Sequence, residues 1–155
     1  MKFSSKDDIE APIEFVFAQV SDFAGLERSA LRRGAEVQRV DTRSSIDVGM
    51  TWKASFQFRG KTRRTTIELV EYDPPTAMAF VSQSKALEGR LDVELVALSR
   101  TRTRLVLTID LTPRNLSARL LVQSLKLARS SLLRKFDKRL GGYARDIEER
   151  YHRVA

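Results

Sequence analysis

The chain has 155 residues, enough for one domain with a sizeable core and short for two, and its 42% hydrophobic and 31% charged residues are those of an ordinary globular protein. It contains no cysteine and one histidine, which excludes disulfides, thiolate chemistry and zinc sites of the usual nitrogen and sulfur type. The formal net charge is +8, and most of the excess sits late: residues 117–155 hold ten basic and four acidic groups, whereas residues 1–60 hold nine of each.

Met1 to Asp8 carries no apolar stretch of the signal-peptide kind, and no later segment reaches the uninterrupted apolar length of a membrane span, so a soluble, cytoplasmic protein is the expectation. Lys6–Pro12 reads as a short strand ending at a proline suited to a helix start. Ile13, Val16, Phe17, Val20 and Phe23 then follow the three-and-four spacing of one buried helical stripe. Gly25 is expected to interrupt this helix, and Leu26–Arg33 forms a second short one that Gly34 stops.

After Gly34 the period changes to two, weakly over Ala35–Thr42 and clearly after Gly49. Met50, Trp52, Ala54, Phe56 and Phe58 alternate with polar residues, giving one apolar, aromatic face. A two-residue hairpin loop at Gly60-Lys61 pairs Phe58 with Arg63, Phe56 with Thr65, Ala54 with Ile67 and Trp52 with Leu69, and keeps the apolar residues on one face. Asp73-Pro74-Pro75 is a turn, because neither proline can donate to a central ladder. Further strands follow at Ala77–Ser84, around Leu91, Val93 and Leu95 past a loop near Gly89, and around Leu105, Leu107, Ile109 and Leu111. From Ser117, a candidate N-cap, to about Tyr151 the helical period returns, and Gly141-Gly142 is the place where this long helix would bend or loosen.

Strand, two short helices, a meander of antiparallel strands and one long final helix make an α+β chain, read as one domain over residues 1–155. Ala11-Pro12-Ile13-Glu14 with Val16-Phe17 and Ser21-Asp22-Phe23, Val48-Gly49-Met50 before Trp52, and the turn Glu71-Tyr72-Asp73-Pro74-Pro75 resemble the START-like, or SRPBCC, superfamily and within it the bacterial polyketide cyclase/dehydrase and lipid-transport branch. The resemblance covers essentially the whole chain. It implies the helix-grip fold, a curved antiparallel sheet closed by the C-terminal helix, which the Bet v 1 allergens share, and a cavity for a hydrophobic ligand. The glycine-rich loop of the plant allergens is missing where Ser44-Ser45-Ile46-Asp47 stands.

On this register the ligand lining comes from Trp52, Phe56, Phe58, Ile67, Leu69 and Phe80, with Leu91, Val93, Leu107 and Ile109 on later strands. Leu125, Ala128 and Leu132 would face them from the helix. Each of these residues taken singly also suits a solid core. Arg63 and Thr65 fall on the apolar face, where Arg63 could pair with a ligand carboxylate or, as is commoner near a strand end, reach into water. Ser82 and Ser84 offer hydroxyls in the same region. For catalysis the candidates are Tyr143, on the apolar stripe of the helix, and Arg63, since His152 stands beside the chain end and Asp92, Glu94 and Asp110 fall on polar strand faces.

Three functions follow, in order: a carrier or sensor of a lipid, isoprenoid or aromatic metabolite; a cyclase or dehydratase using the same cavity; and an adaptor whose basic helix meets an anionic membrane or nucleic acid. No cofactor, no metal and no specific nucleic-acid partner are expected, and a homodimer is left open.

Overall fold

A computed structural model describes residues 1–155. In chain order the elements are β1 (Lys2–Ile9), α1 (Ile13–Val20), α2 (Phe23–Arg32), β2 (Glu36–Arg39), β3 (Thr51–Phe58), β4 (Lys61–Asp73), β5 (Ala77–Gln83), β6 (Leu87–Ser99), β7 (Arg102–Pro113), α3 (Leu116–Leu127) and α4 (Arg129–Val154). The strands form one seven-stranded sheet in the order β1-β7-β6-β5-β4-β3-β2, antiparallel throughout, and the long C-terminal helix makes this the helix-grip fold.

Several boundaries depart from the sequence expectation, each for a local reason. Gly25 lies inside α2 and does not end a helix: Asp22 caps α2 by accepting from the Gly25 N–H at 3.2 Å, and a Cβ at Gly25 would fall 2.3 Å from that carboxylate. Gly89 is a strand residue of β6, and the preceding turn is made by Ser84-Lys85-Ala86, where the Ser84 hydroxyl both donates to the Leu87 carbonyl and accepts from its N–H.

The β3–β4 loop is Arg59-Gly60, not Gly60-Lys61. Both residues sit in the left-handed region, at φ 51° and 77°, as a two-residue turn matched to the strand twist requires. Phe58 therefore pairs with Lys61, Phe56 with Arg63, Ala54 with Thr65 and Trp52 with Ile67. The shift is two residues, so every side chain keeps its expected face while its partner changes. An irregularity at Val70 lets Leu69 and Tyr72 both point inward.

The C-terminal helix is two helices. Asn115, and not Ser117, caps α3 by accepting from Ala118 N at 2.8 Å, and the chain breaks at Ala128 (φ −97°, ψ 16°) before α4 begins. Gly141-Gly142, where a bend was expected, stays helical within α4. This helix runs along β1: Ser5 Oγ donates to Asp137, and the Phe3 and Phe136 rings meet edge to face at 5.6 Å.

The core lies between the sheet and the helices. Val16, Phe17 and Val20 of α1, Phe23 of α2 and Leu140, Ala144 and Ile147 of α4 meet Ile9, Trp52, Leu69, Met78, Val93, Leu95 and Leu105 from the strands. Phe23, Trp52 and Phe80 form an aromatic triangle with centroids 5.3–6.2 Å apart. No helix is long and apolar enough to cross a membrane.

Candidate functional site

Strand registers sort the inner face of the sheet into rungs whose burial falls from one end to the other. Met78, Val93, Leu107 and Ser5 form one rung beside Leu95 and Leu105, and all but half-buried Leu107 are buried. The next rung is Leu69, Phe80, Leu91, Ile109 and Phe3, with Leu69 fully covered and the other four half-buried. Then come Trp52, Ile67, Ser82, Gly89 and Leu111, of which only Trp52 is buried. Ala54 opposite Thr65 follows, with Ala54 still buried beside β2, and at the last rung Phe56 stands opposite Arg63, where Phe56 and the neighbouring Phe58 are each 37% exposed. Trp52, Leu69 and Val93 thus belong to the packed core, whereas Phe56, Phe58, Ile67, Phe80, Leu91, Leu107 and Ile109 pass from its edge to a half-covered and then exposed part of the same face.

The elements beyond β7 roof this open end. The Arg114 N–H donates to the Ala86 carbonyl at the β5–β6 turn, and Arg59 at the tip of the β3–β4 hairpin donates to Ser124 of α3. Ala118, Val122 and Leu125 are the buried side of α3, and Ala128 and Leu132 are half-buried at the junction with α4. Gly89 leaves the floor without a side chain between Ser82 and Leu111; a Cβ there would lie 3.5 Å from Leu111 Cδ2 and 3.8 Å from Ser82 Cβ. Phe3, Gly89, Leu111 and Val122 were not picked out from the sequence. The alternation that includes Leu111 was the signal for it, and Gly89 was hidden by its reading as a loop.

Polar groups on this part of the inner face are few. The hydroxyls of Thr65 and Ser82 hydrogen-bond to each other, and Thr65 also donates to the Gln83 carbonyl at 3.1 Å. Ser84 is used by its own turn. Arg63 donates from Nε to the Phe58 carbonyl at 3.2 Å and stands 5.6 Å from the Phe58 ring centroid, whose other neighbour is Arg59 at 5.7 Å. No carboxylate pairs with Arg63, and its terminal guanidinium nitrogens have no protein acceptor. That leaves a bidentate donor at the mouth of an apolar surface.

Tyr143 is elsewhere. It lines a polar cleft of about 1290 Å³ between α2 and α4, whose walls carry eight Arg or Lys side chains and three carboxylates. Its hydroxyl faces the Gln19 carbonyl at 3.5 Å. Burial pushes its pKa up to about 12, with Arg150 pulling down and Asp22 adding a smaller upward push. A phenol so placed stays protonated near neutrality and cannot act there as a base. Tyr143 and Arg63, the two catalytic candidates, are therefore held by different parts of the fold: the α1–α4 contact and the β3–β4 hairpin.

The fold and this half-covered inner face define the class as a helix-grip protein of the START-like kind. The chain belongs to the polyketide cyclase / dehydrase and lipid transport family, whose model matches residues 1–148. Among solved structures it is similar to the Zhui aromatase/cyclase of a Streptomyces species, with a TM-score of 0.67, 16% identity and coverage of 94% of this chain and 93% of that one. It also resembles a START superfamily protein from Mycobacterium smegmatis, with a TM-score of 0.65, 13% identity and 99% of each chain covered. The structure of Ara h 8.0201 aligns with a TM-score of 0.60 at 14% identity over 94% of this chain and 98% of that one. At such identities the likeness is one of fold. A search among curated protein sequences finds no match.

Proposed function

We propose that the chain acts as one domain, residues 1–155, that binds a small hydrophobic molecule, such as a lipid, isoprenoid or aromatic metabolite, in the trough between the inner sheet face and α3. The observation that carries this reading is the graded burial of one continuous apolar face, closed at Met78 and Val93 and open at Phe56 and Phe58. Apolar surface left half-covered in a concave site is a place where a ligand's hydrocarbon gains from leaving water. Arg63, with two unpaired guanidinium nitrogens at the mouth, would favour a ligand ending in a carboxylate. Thr65 and Ser82 commit their protons to the Gln83 carbonyl and to each other, so toward a ligand hydroxyl they would serve as acceptors.

The cyclase reading draws on the family's description, but its strongest acid–base candidate, Tyr143, opens on the polar cleft beside Gln19. Carriage or sensing asks less of the residues present than catalysis does.

A fluorescence titration with cis-parinaric acid, an apolar chain with a carboxylate head, tests the proposal. The expected result is saturable binding that Phe56→Asp weakens by about tenfold or more, the size of effect given by losing one buried apolar side chain to a charge. Arg63→Gln should weaken the acid and leave the corresponding alcohol unchanged, and Tyr143→Phe should change neither. Absence of binding, or binding indifferent to Phe56→Asp, contradicts the assignment.

A further inference from the structure

The outward side of α3 carries an apolar stripe that nothing in the fold covers. Leu116, Leu120 and Leu127 are 72%, 64% and 92% exposed. Spacings of four and seven residues align them along the helix, on the side opposite the buried Ala118, Val122 and Leu125. Packing on the sheet uses the second set alone, so the fold does not account for the first.

The sequence segments that carry the stripe and the neighbouring hairpin hold charge of one sign. From Leu111 to Phe136 the sequence holds six cations and no carboxylate, and from Val48 to Ile67, which includes the β3–β4 hairpin, it holds five cations and no carboxylate. The hairpin tip is tied to α3 through Arg59 and Ser124, which brings Arg59 and the neighbouring Lys61 to the end of the molecule where Arg119 and Lys126 of α3 stand. Of these eleven cations only Arg114 has a carboxylate within ion-pairing distance, Glu88 at 2.9 Å. Arg119 and Lys126 lie on α3 itself, beside the leucines.

We propose that this end of the molecule docks on an anionic lipid bilayer, with α3 lying in the interface, its leucine stripe at the acyl boundary and the surrounding Arg and Lys among the headgroups. A second copy of the chain is a poorer fit, because a symmetric contact through α3 would bring the same cations face to face. Nucleic acid would meet the cations but leaves the leucines without a role. The inference stands on the α3 and hairpin surface, independent of what fills the trough. It adds that the trough's open end, at Phe56 and Phe58, would lie on the membrane side of the protein.

Co-sedimentation of the full chain with vesicles tests this. The comparison is phosphatidylcholine alone against an equal mixture with phosphatidylglycerol, at low and high salt, for the wild type and for Leu120→Gln with Leu127→Gln. Both side chains are exposed, so the double variant should fold, which circular dichroism checks. The expected result is binding to the anionic vesicles only, reduced by salt and reduced about tenfold or more by the double variant. No binding to anionic vesicles at low salt overturns the proposal. So does equal sedimentation of wild type and variant, a wild-type dimer that the variant dissociates, or duplex DNA bound in place of vesicles. The cis-parinaric acid titration keeps the two claims apart. Vesicle binding by a protein that takes no probe sinks the carrier reading alone, and probe uptake by a protein that ignores vesicles sinks the docking alone.

Discussion

Asp41 shows how one side chain fixes the entry to the central strands. Its carboxylate accepts from Arg39 Nε at 2.9 Å and a terminal Arg39 nitrogen at 2.8 Å, and from the N–H groups of Thr51 and Arg43, each at 2.9 Å. The Arg39 hydrogen bonds, then the Thr51 N–H, hold its pKa well below the usual carboxylate range. A carboxyl whose pKa is lowered by folding stabilises the folded state fully above its unfolded value, about 3.9, and that contribution shrinks below this value and is lost as the pH falls through the lower folded-state pKa. Asp41→Asn should therefore lower the urea midpoint near neutrality, and the difference from the wild type should narrow on acidification. Midpoints differing by the same amount at about pH 7 and about pH 3 would contradict the role. At this scale the sequence was informative about faces and less so about partners. Period-two alternation placed Arg63 and Thr65 on the inner side. Their partners came out two residues away because Arg59 occupies a positive-φ position that its residue type disfavours and the turn nevertheless imposes.

Helix α4 shows the same division between pattern and detail. The apolar stripe Leu121, Leu125, Ala128, Leu132 runs through the α3–α4 junction without a change of period, so a break confined to Ala128 leaves no trace in the spacing. The Ser130-Ser131 pair just beyond it is the local feature associated with interrupted helices. Gly141-Gly142 looked like the weak point and is not. Gly141 is buried where α4 runs close to β1, and a Cβ there would sit 3.5 Å from an Asp7 carboxylate oxygen. Gly142 meets nothing within 4 Å. Replacing it with alanine therefore costs no packing and gains helix propensity. Gly142→Ala should stabilise the protein by ~1 kcal/mol and raise Tm by about 2–4 °C in a scanning calorimeter. An unchanged or lower Tm would mean that the helix needs the flexibility of that position.

Across the whole molecule, the fold was legible because three periodicities and the order of their segments are written directly in the residues: short helical, strand and long helical. The candidate site was legible as a face but not as an opening. The alternation that buries Leu69 and Val93 is the same one that exposes Phe56 and Phe58, and only the reach of the helices decides where packing stops. The clustering of unpaired cations at the end roofed by α3 likewise depends on bringing the β3–β4 hairpin to Ser124, 65 residues further on. Family membership fixes the architecture and leaves the chemistry to the site. The site we propose is a hydrophobic face with one free guanidinium, that of Arg63, at its edge. Native mass spectrometry of the protein purified from its own host, and again after exposure to fatty acids, isoprenoids and aromatic metabolites, reads its occupancy most directly. Ions carrying one apolar molecule, lost in Phe56→Asp, are the result expected. Uniformly empty protein that takes up no member of the panel would contradict a ligand-binding role.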